Sequence, residues 1–410
     1  MATFFLGIIY LAFISLGLPD SLLGVSWSLM QPEFGAPLET AGLLFMTIAG
    51  GTIISSFVSG AVLNRFGTGM VTFFSCLMTA GALLGFYFAP SLVWLFICAI
   101  PLGLGAGAVD SGLNNYVASH YKAHHMSWLH CFWGVGATLG PVIMAQFISG
   151  QHSWRNGYLT IAGLQFVLVI ILFFTLPLWQ KVGGNSNVNS TNEAENIDTV
   201  LSGADFENQK PLQIRGVKLA LVSFLFYCGA EATMGLWGSS FLVNVKDLSV
   251  GTAAKWVSLY YAGITFGRFI TGFITLKVGN RTLIRMGQVI ALVGSLLLFL
   301  PLPSTFSLIG FIMVGLGLAP IFPCMLHETP TRFGQAQSQT IMGYQMAVAY
   351  TGSTFLPPLL GFIAAHSTIG IFPFVIAGFI VIMLLGSEKL NTILNRNELI
   401  RIKNNNSTVI

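Results

Sequence analysis

Three carboxylates stand where the surrounding sequence is apolar: Asp20 in Gly17-Leu18-Pro19-Asp20-Ser21, Asp110 in Gly107-Ala108-Val109-Asp110-Ser111, and Glu231 in Gly229-Ala230-Glu231-Ala232. A charged group in the middle of a bilayer costs about 2.5–3.5 kcal/mol by insertion scales, so acids retained there imply a function or a dedicated partner. A carboxyl group withdrawn from bulk water exchanges protons nearer neutral pH than a solvated one, and an ionised carboxylate also binds alkali cations. The chemistry to expect is cation binding and release in a water-accessible cavity, by Asp20, Asp110 and Glu231. The competing structural reading keeps each acid neutral and hydrogen-bonded to a neighbouring helix.

Candidate solute-binding groups surround these acids. Asn114 lies four residues after Asp110, on the same helical face, with Asn115 adjacent. His130 and Trp133 are spaced i, i+3; Tyr227 shares a face with Glu231, and Trp237 follows one to two turns on. Tyr344 and Gln345 open a later segment. Amides and acids hydrogen-bond hydroxyl groups while aromatic rings cover an apolar C–H face, so the set, with Glu231 included, suits a polyhydroxyl compound. Arg268 and Glu328 are expected near the same membrane face, as a structural pair or a gate.

The elements that position these groups follow from composition. Of 410 residues 54% are hydrophobic and 8% charged, against about 25% charged in soluble domains. Such a chain has too little polar surface to be wetted all round. Long apolar runs without strand-like alternation predict an all-α membrane protein. Twelve spans are expected, at 3–29, 39–63, 68–90, 92–119, 126–149, 153–179, 215–244, 250–276, 282–301, 304–329, 335–364 and 367–387. Residues 180–214 are rich in Asn, Ser and Gly and read as a flexible linker. The expected organisation is a six-helix bundle over 1–179, the linker, a second bundle over 215–389, and a tail over 390–410.

Orientation follows from the basic residues. With the N-terminus inside, 14 of the 18 Lys and Arg fall on inner loops, linker and tail, three fall outside, and Arg268 lies within a span. The positive-inside rule then predicts both termini in the cytoplasm. The first apolar run is too long for a signal-peptide core and is expected to be a retained span. The five cysteines lie in apolar stretches without CxxC spacing, which predicts buried thiols and no metal site. Clusters of basic residues interleaved with aromatics do not occur, so no nucleic-acid partner is expected.

The two halves repeat. Gly103-Leu104-Gly105 returns as Gly315-Leu316-Gly317, and Gly60 and Gly67 return at the same offset as Gly272 and Gly279. Asp20-x3-Gly24 is mirrored by Glu231-x3-Gly235 at almost that offset, and Gly136-x4-Pro141 by Gly352-x4-Pro357 at a slightly longer one. Asp110 has no acidic counterpart, since Phe322 stands at the matching position. Two parallel six-span halves with a site at their interface imply alternating access, and this frame resembles the major facilitator superfamily. The glycine-basic loops after spans two and eight are similar to that superfamily's signature loop, with Asn64 where an acid is usual.

Four segments carry a finer resemblance: Gly17–Gly24, Gly105–Asn114, Leu129–Ala137 and Gly229–Glu231. They resemble the fucose:proton symporter family and the related sodium-dependent glucose transporters. The resemblance implies that Asp20 and Asp110 occupy the positions of the fucose carrier's membrane acids, the second of which is a glutamate there. His130 and Trp133 fall where that carrier has amides, and Gly229-Ala230-Glu231 is closer to the glucose branch. The function so implied is cation-coupled symport of a hexose-like sugar in the plasma membrane, with H⁺ or Na⁺ as coupling ion, no cofactor, and a single chain sufficing. The alternative on the same frame is a proton-driven exporter of amphipathic compounds. A receptor built on this scaffold would need larger loops. An enzyme is not expected, because GLGAGAVDSG lies inside an apolar span with no preceding strand and no HExxH, GxSxG or P-loop occurs.

Overall fold

A computed structural model describes residues 2–120, 123–149, 153–183, 210–275 and 277–407, nearly all of them helical. The first crossing is split into α1 (Ala2–Gly17) and α2 (Leu22–Phe34). The break falls at Pro19, whose missing N–H and fixed φ interrupt the helical ladder beside Asp20. The second and third crossings form one long helix, α3 (Thr40–Tyr87), hinged at Gly67 with φ 76 and ψ 155. Only glycine adopts that conformation without strain. The N-terminal half is completed by α4 (Leu92–His120), α5 (Ala123–Ser149) and α6 (Trp154–Gly183).

The C-terminal half begins with α7 (Val217–Asn244), α8 (Val250–Ile274) and α9 (Asn280–Phe299). Its fourth crossing is interrupted at Ala319-Pro320, giving α10 (Ser304–Leu318) and α11 (Ile321–His327), followed by the short α12 (Thr329–Phe333). α13 (Gln335–Ala365) and α14 (Phe372–Ser407) complete it. Eleven segments among the described residues are long and apolar enough to span a bilayer. α8 is the twelfth crossing, diluted by Lys255, Arg268 and several Ser, Thr and Tyr residues. An even number of crossings puts both termini on one face, here the terminal face; the other is the far face. Large apolar side chains face outward around the molecule, Phe57, Phe174 and Val93 among them, as a lipid-facing exterior requires.

Of the expected linker, 180–183 continue α6 and 210–214 form a short turn, while 184–209 lie outside the described residues. The expected tail is helical, because α14 runs on through Ser407.

The repeat read from glycines reappears as contacts. A Cβ on Gly103 would stand 2.0 Å from the Ile48 carbonyl oxygen, and one on Gly315 would stand 2.2 Å from that of Tyr260. Gly315 and Tyr260 are the repeat counterparts of Gly103 and Ile48, at one and the same offset. Likewise Gly136 faces the Ile14 carbonyl and Gly352 the Leu225 carbonyl, at 2.1 and 2.2 Å. Small residues at these crossings let helix backbones touch, which is how helices associate where lipid removes the hydrophobic drive.

The two bundles meet through α5 on α8, α2 on α7 and α8, and α3 on α13. On the far-face half of this seam a Gly24 Cβ would stand 2.3 Å from the carbonyl of Gly235, its repeat partner. Gly42 lies against Pro358, and Gly251 against Ser149. The Ser258 hydroxyl donates to the Thr138 carbonyl at 2.8 Å. The seam is therefore shut toward the far face.

Candidate functional site

Asp20 sits at the break between α1 and α2, where the chain leaves the helical path. Its side chain is accessible although Ser21 to Trp27 behind it are all buried. Its Oδ2 accepts the Trp133 indole N–H at 2.7 Å. Trp133 comes from α5 and looks across the seam: the Arg268 guanidinium of α8 lies 5.7 Å from its ring centre, and Tyr261 meets it edge-on. A carboxylate that is both accessible and enclosed by groups from two bundles faces an internal chamber. With the far-face seam shut, that chamber opens toward the terminal face.

Arg268 is held by its own bundle. One guanidinium nitrogen donates to both Glu231 oxygens, at 3.2 and 3.3 Å, and to the Tyr227 hydroxyl at 3.1 Å. The pair is largely withdrawn from solvent, with side chains 15% and 16% accessible. The Tyr260 hydroxyl donates to the Glu231 carbonyl at 3.2 Å, fixing the helix beneath the acid.

Asp110 is the third acid, on α4. Asn114 donates to its Oδ1 at 2.8 Å and also to its backbone carbonyl at 3.0 Å. Its other oxygen faces the Tyr350 hydroxyl of α13 at 3.4 Å, a contact from the opposite bundle. Asp20 interacts electrostatically with both Asp110 and Glu231. The three acids thus belong to one site shared by both halves.

The structure redistributes several expected roles. Arg268 does not pair with Glu328. It lies deeper along α8 and takes Glu231, while Glu328 accepts from Arg332 at 3.1 Å and lies 3.5 Å from Arg281 near the terminal face. Glu231 is thereby a paired carboxylate, unlike Asp20 and Asp110. Trp237 does not line the chamber: it is fully buried, and its indole N–H is spent on the Pro357 carbonyl at 2.7 Å. Gln345 is also buried, its Oε1 accepting from Thr329 at 3.0 Å, which ties α12 to α13. Tyr227 is buried behind Arg268 as its acceptor. Asn114 serves Asp110, and His130 is half-buried with its ring edge-on to Phe13. Tyr344 is exposed, and the Asn115 side chain lies outside the described residues.

Tyr350, Tyr260 and Tyr261 are site residues that sequence reading missed. For Tyr350 a signal existed, since the offset that relates Gly136 to Gly352 aligns it with Gly134, the neighbour of Trp133.

Residues 9–357 match the family profile described as Major Facilitator Superfamily. The chain belongs to that superfamily. Its relatives include Bypass of stop codon protein 6 of Saccharomyces cerevisiae, 27% identical, the match covering 69% of this chain and 61% of that protein. Another is the glucose/mannose transporter GlcP of Bacillus subtilis, 24% identical over 59% of this chain and 58% of the relative. The chain thus spans about three-fifths of the length of these two. The crystal structure of a D-xylose-proton symporter superposes with TM-score 0.71 at 13% identity, covering 94% of this chain and 96% of that one. At that identity the likeness speaks for the fold. This superfamily member therefore has the twelve-helix, two-bundle fold expected and has sugar transporters among its relatives.

Proposed function

We propose that this chain is a cation-coupled symporter of a hexose-like sugar, working by alternating access between the two bundles. One observation carries the reading: Asp20, Asp110 and the Glu231–Arg268 pair, contributed by both halves, converge on one accessible chamber at the seam. In this assignment Asp20 and Asp110 bind the coupling cation, with H⁺ preferred to Na⁺. Each already holds at least one neutral hydrogen-bond donor and, among the described residues, no basic partner, so its charge is free to be met by a cation. Glu231, neutralised by Arg268, leaves the coupling set and becomes part of the C-terminal wall.

The solute would lie between Trp133 and the Tyr261–Arg268 wall, with sugar hydroxyls meeting carboxylates and guanidinium and a ring face meeting the aromatics. The sugar relatives favour this class over an amphipathic cation, and Arg268 in the wall would repel a cationic solute. Taken with the basic-residue count, the terminal face is assigned to the cytoplasm and the form described to the inward-facing state. Both the plasma membrane and a functional monomer belong to the same proposal.

Counterflow of labelled monosaccharides in proteoliposomes, with and without a pH or sodium gradient, tests the reading. Wild-type protein is expected to exchange at least one hexose and to concentrate it down a cation gradient. No sugar moving under any of these conditions removes the proposal.

A further inference from the structure

Arg268 is a fixed cation in a wall that faces two unpaired carboxylates. Its own bundle gives it Glu231 and Tyr227, yet its guanidinium also lies over the Trp133 ring, and the indole N–H of that ring holds Asp20. Asp20 and Glu231 stand at equivalent places in the two repeats, so one guanidinium lies between two pseudo-symmetric acids. Nothing in the N-terminal half matches it: the repeat places Ser56 at the corresponding position. Other groups in electrostatic reach of Asp20 are Asp110, Glu231 and Tyr261, and none of them brings positive charge.

A symporter must return empty. With sugar and cation released, Asp20 and Asp110 are bare carboxylates in a chamber about to close around them, which disfavours closure. We propose that Arg268 is the internal counter-ion for that return step, shifting across the face of Trp133 from Glu231 toward Asp20 when the coupling cation has left. In the loaded carrier the bound cation occupies Asp20 and Arg268 stays with Glu231. Arg268 is thus a positioning residue for coupling, acting through Asp20. The inference rests on the symport reading above.

The two half-cycles separate experimentally, since exchange uses only the loaded carrier whereas net uptake also needs the empty return. The informative variant is Glu231→Gln with Arg268→Gln, which removes both partners of the ion pair and strands no buried charge. The expected result in proteoliposomes is sugar exchange within about twofold of wild type and net gradient-driven uptake reduced about tenfold or more. Arg268→Lys, which keeps the charge but loses the planar fork, is expected to restore part of the net uptake. A double variant with wild-type net uptake would make Arg268 a structural partner of Glu231 only and overturn the inference. Equal loss of exchange and net uptake in a double variant of wild-type thermal stability would also overturn it, placing Arg268 in solute binding. Wild-type protein that moves no sugar under any gradient fails the symport reading itself, a result distinct from both.

Discussion

Asp110 and Asp20 differ in what holds them, and that difference predicts different phenotypes. Asp110 receives one donor from its own helix and one from the opposite bundle, whereas Asp20 receives the indole of Trp133. Removing only the Tyr350 hydroxyl, as Tyr350→Phe, deletes the cross-bundle contact and keeps the ring. Half-saturation for the coupling cation, measured in uptake assays, is expected to change several-fold while hexose exchange persists. An unchanged cation dependence would show that the contact plays no part in coupling. Trp133→Phe keeps a ring beneath Arg268 and removes the N–H from Asp20, so it should alter cation dependence more than exchange. The acids were legible in the sequence because lipid makes a carboxylate conspicuous, and so was the Asp110–Asn114 pair, by helical spacing. The partner of Arg268 was not legible. Placing it beside Glu328 required a depth along α8 that span boundaries, uncertain by several residues, do not supply. Trp237 and Gln345 were misassigned because sequence names a polar or aromatic group without saying which side of its helix is buried.

Among the elements, glycines divide into those that close one bundle on itself and those that close the two bundles on each other. Gly103 is of the first kind, against the Ile48 carbonyl within the N-terminal half. Gly103→Val is expected to destabilise that bundle by about 1–3 kcal/mol through overpacking, read as a lower melting temperature of the purified protein. Gly24 is of the second kind, against Gly235 across the seam. Gly24→Val should leave melting nearly unchanged while cutting transport about tenfold, because the wedge opposes only the conformer shut at the far face. If both variants melted early and transported alike, the division would be wrong. The internal repeat made these crossings readable before any coordinates, since the same small residue recurred at one offset. The breaks at Pro19 and at Ala319-Pro320 were partly readable from proline, but the hinge at Gly67 needed its backbone angles. α8 carries the least apolar sequence of the crossings because it presents Arg268 and two tyrosines to the chamber instead of a uniform face to lipid.

For the whole molecule, the account requires the shut far-face seam to open during each cycle. Ser149 and Gly251 approach closely enough there, with a Cβ on Gly251 3.2 Å from the Ser149 Cβ, to be bridged by cysteines. Ser149→Cys with Gly251→Cys should lose transport under oxidation and regain it under reduction; undiminished transport by the cross-linked protein would rule out rocking at this seam. The central claim is that the unpaired acids of the shared chamber bind the cation that drives the solute. Its most direct test is labelled-hexose movement in proteoliposomes by wild-type protein and Asp110→Asn, each assayed for gradient-driven accumulation and for counterflow. The account predicts that the wild type does both and that Asp110→Asn keeps counterflow but no longer accumulates sugar. Accumulation by Asp110→Asn equal to that of wild type would contradict it.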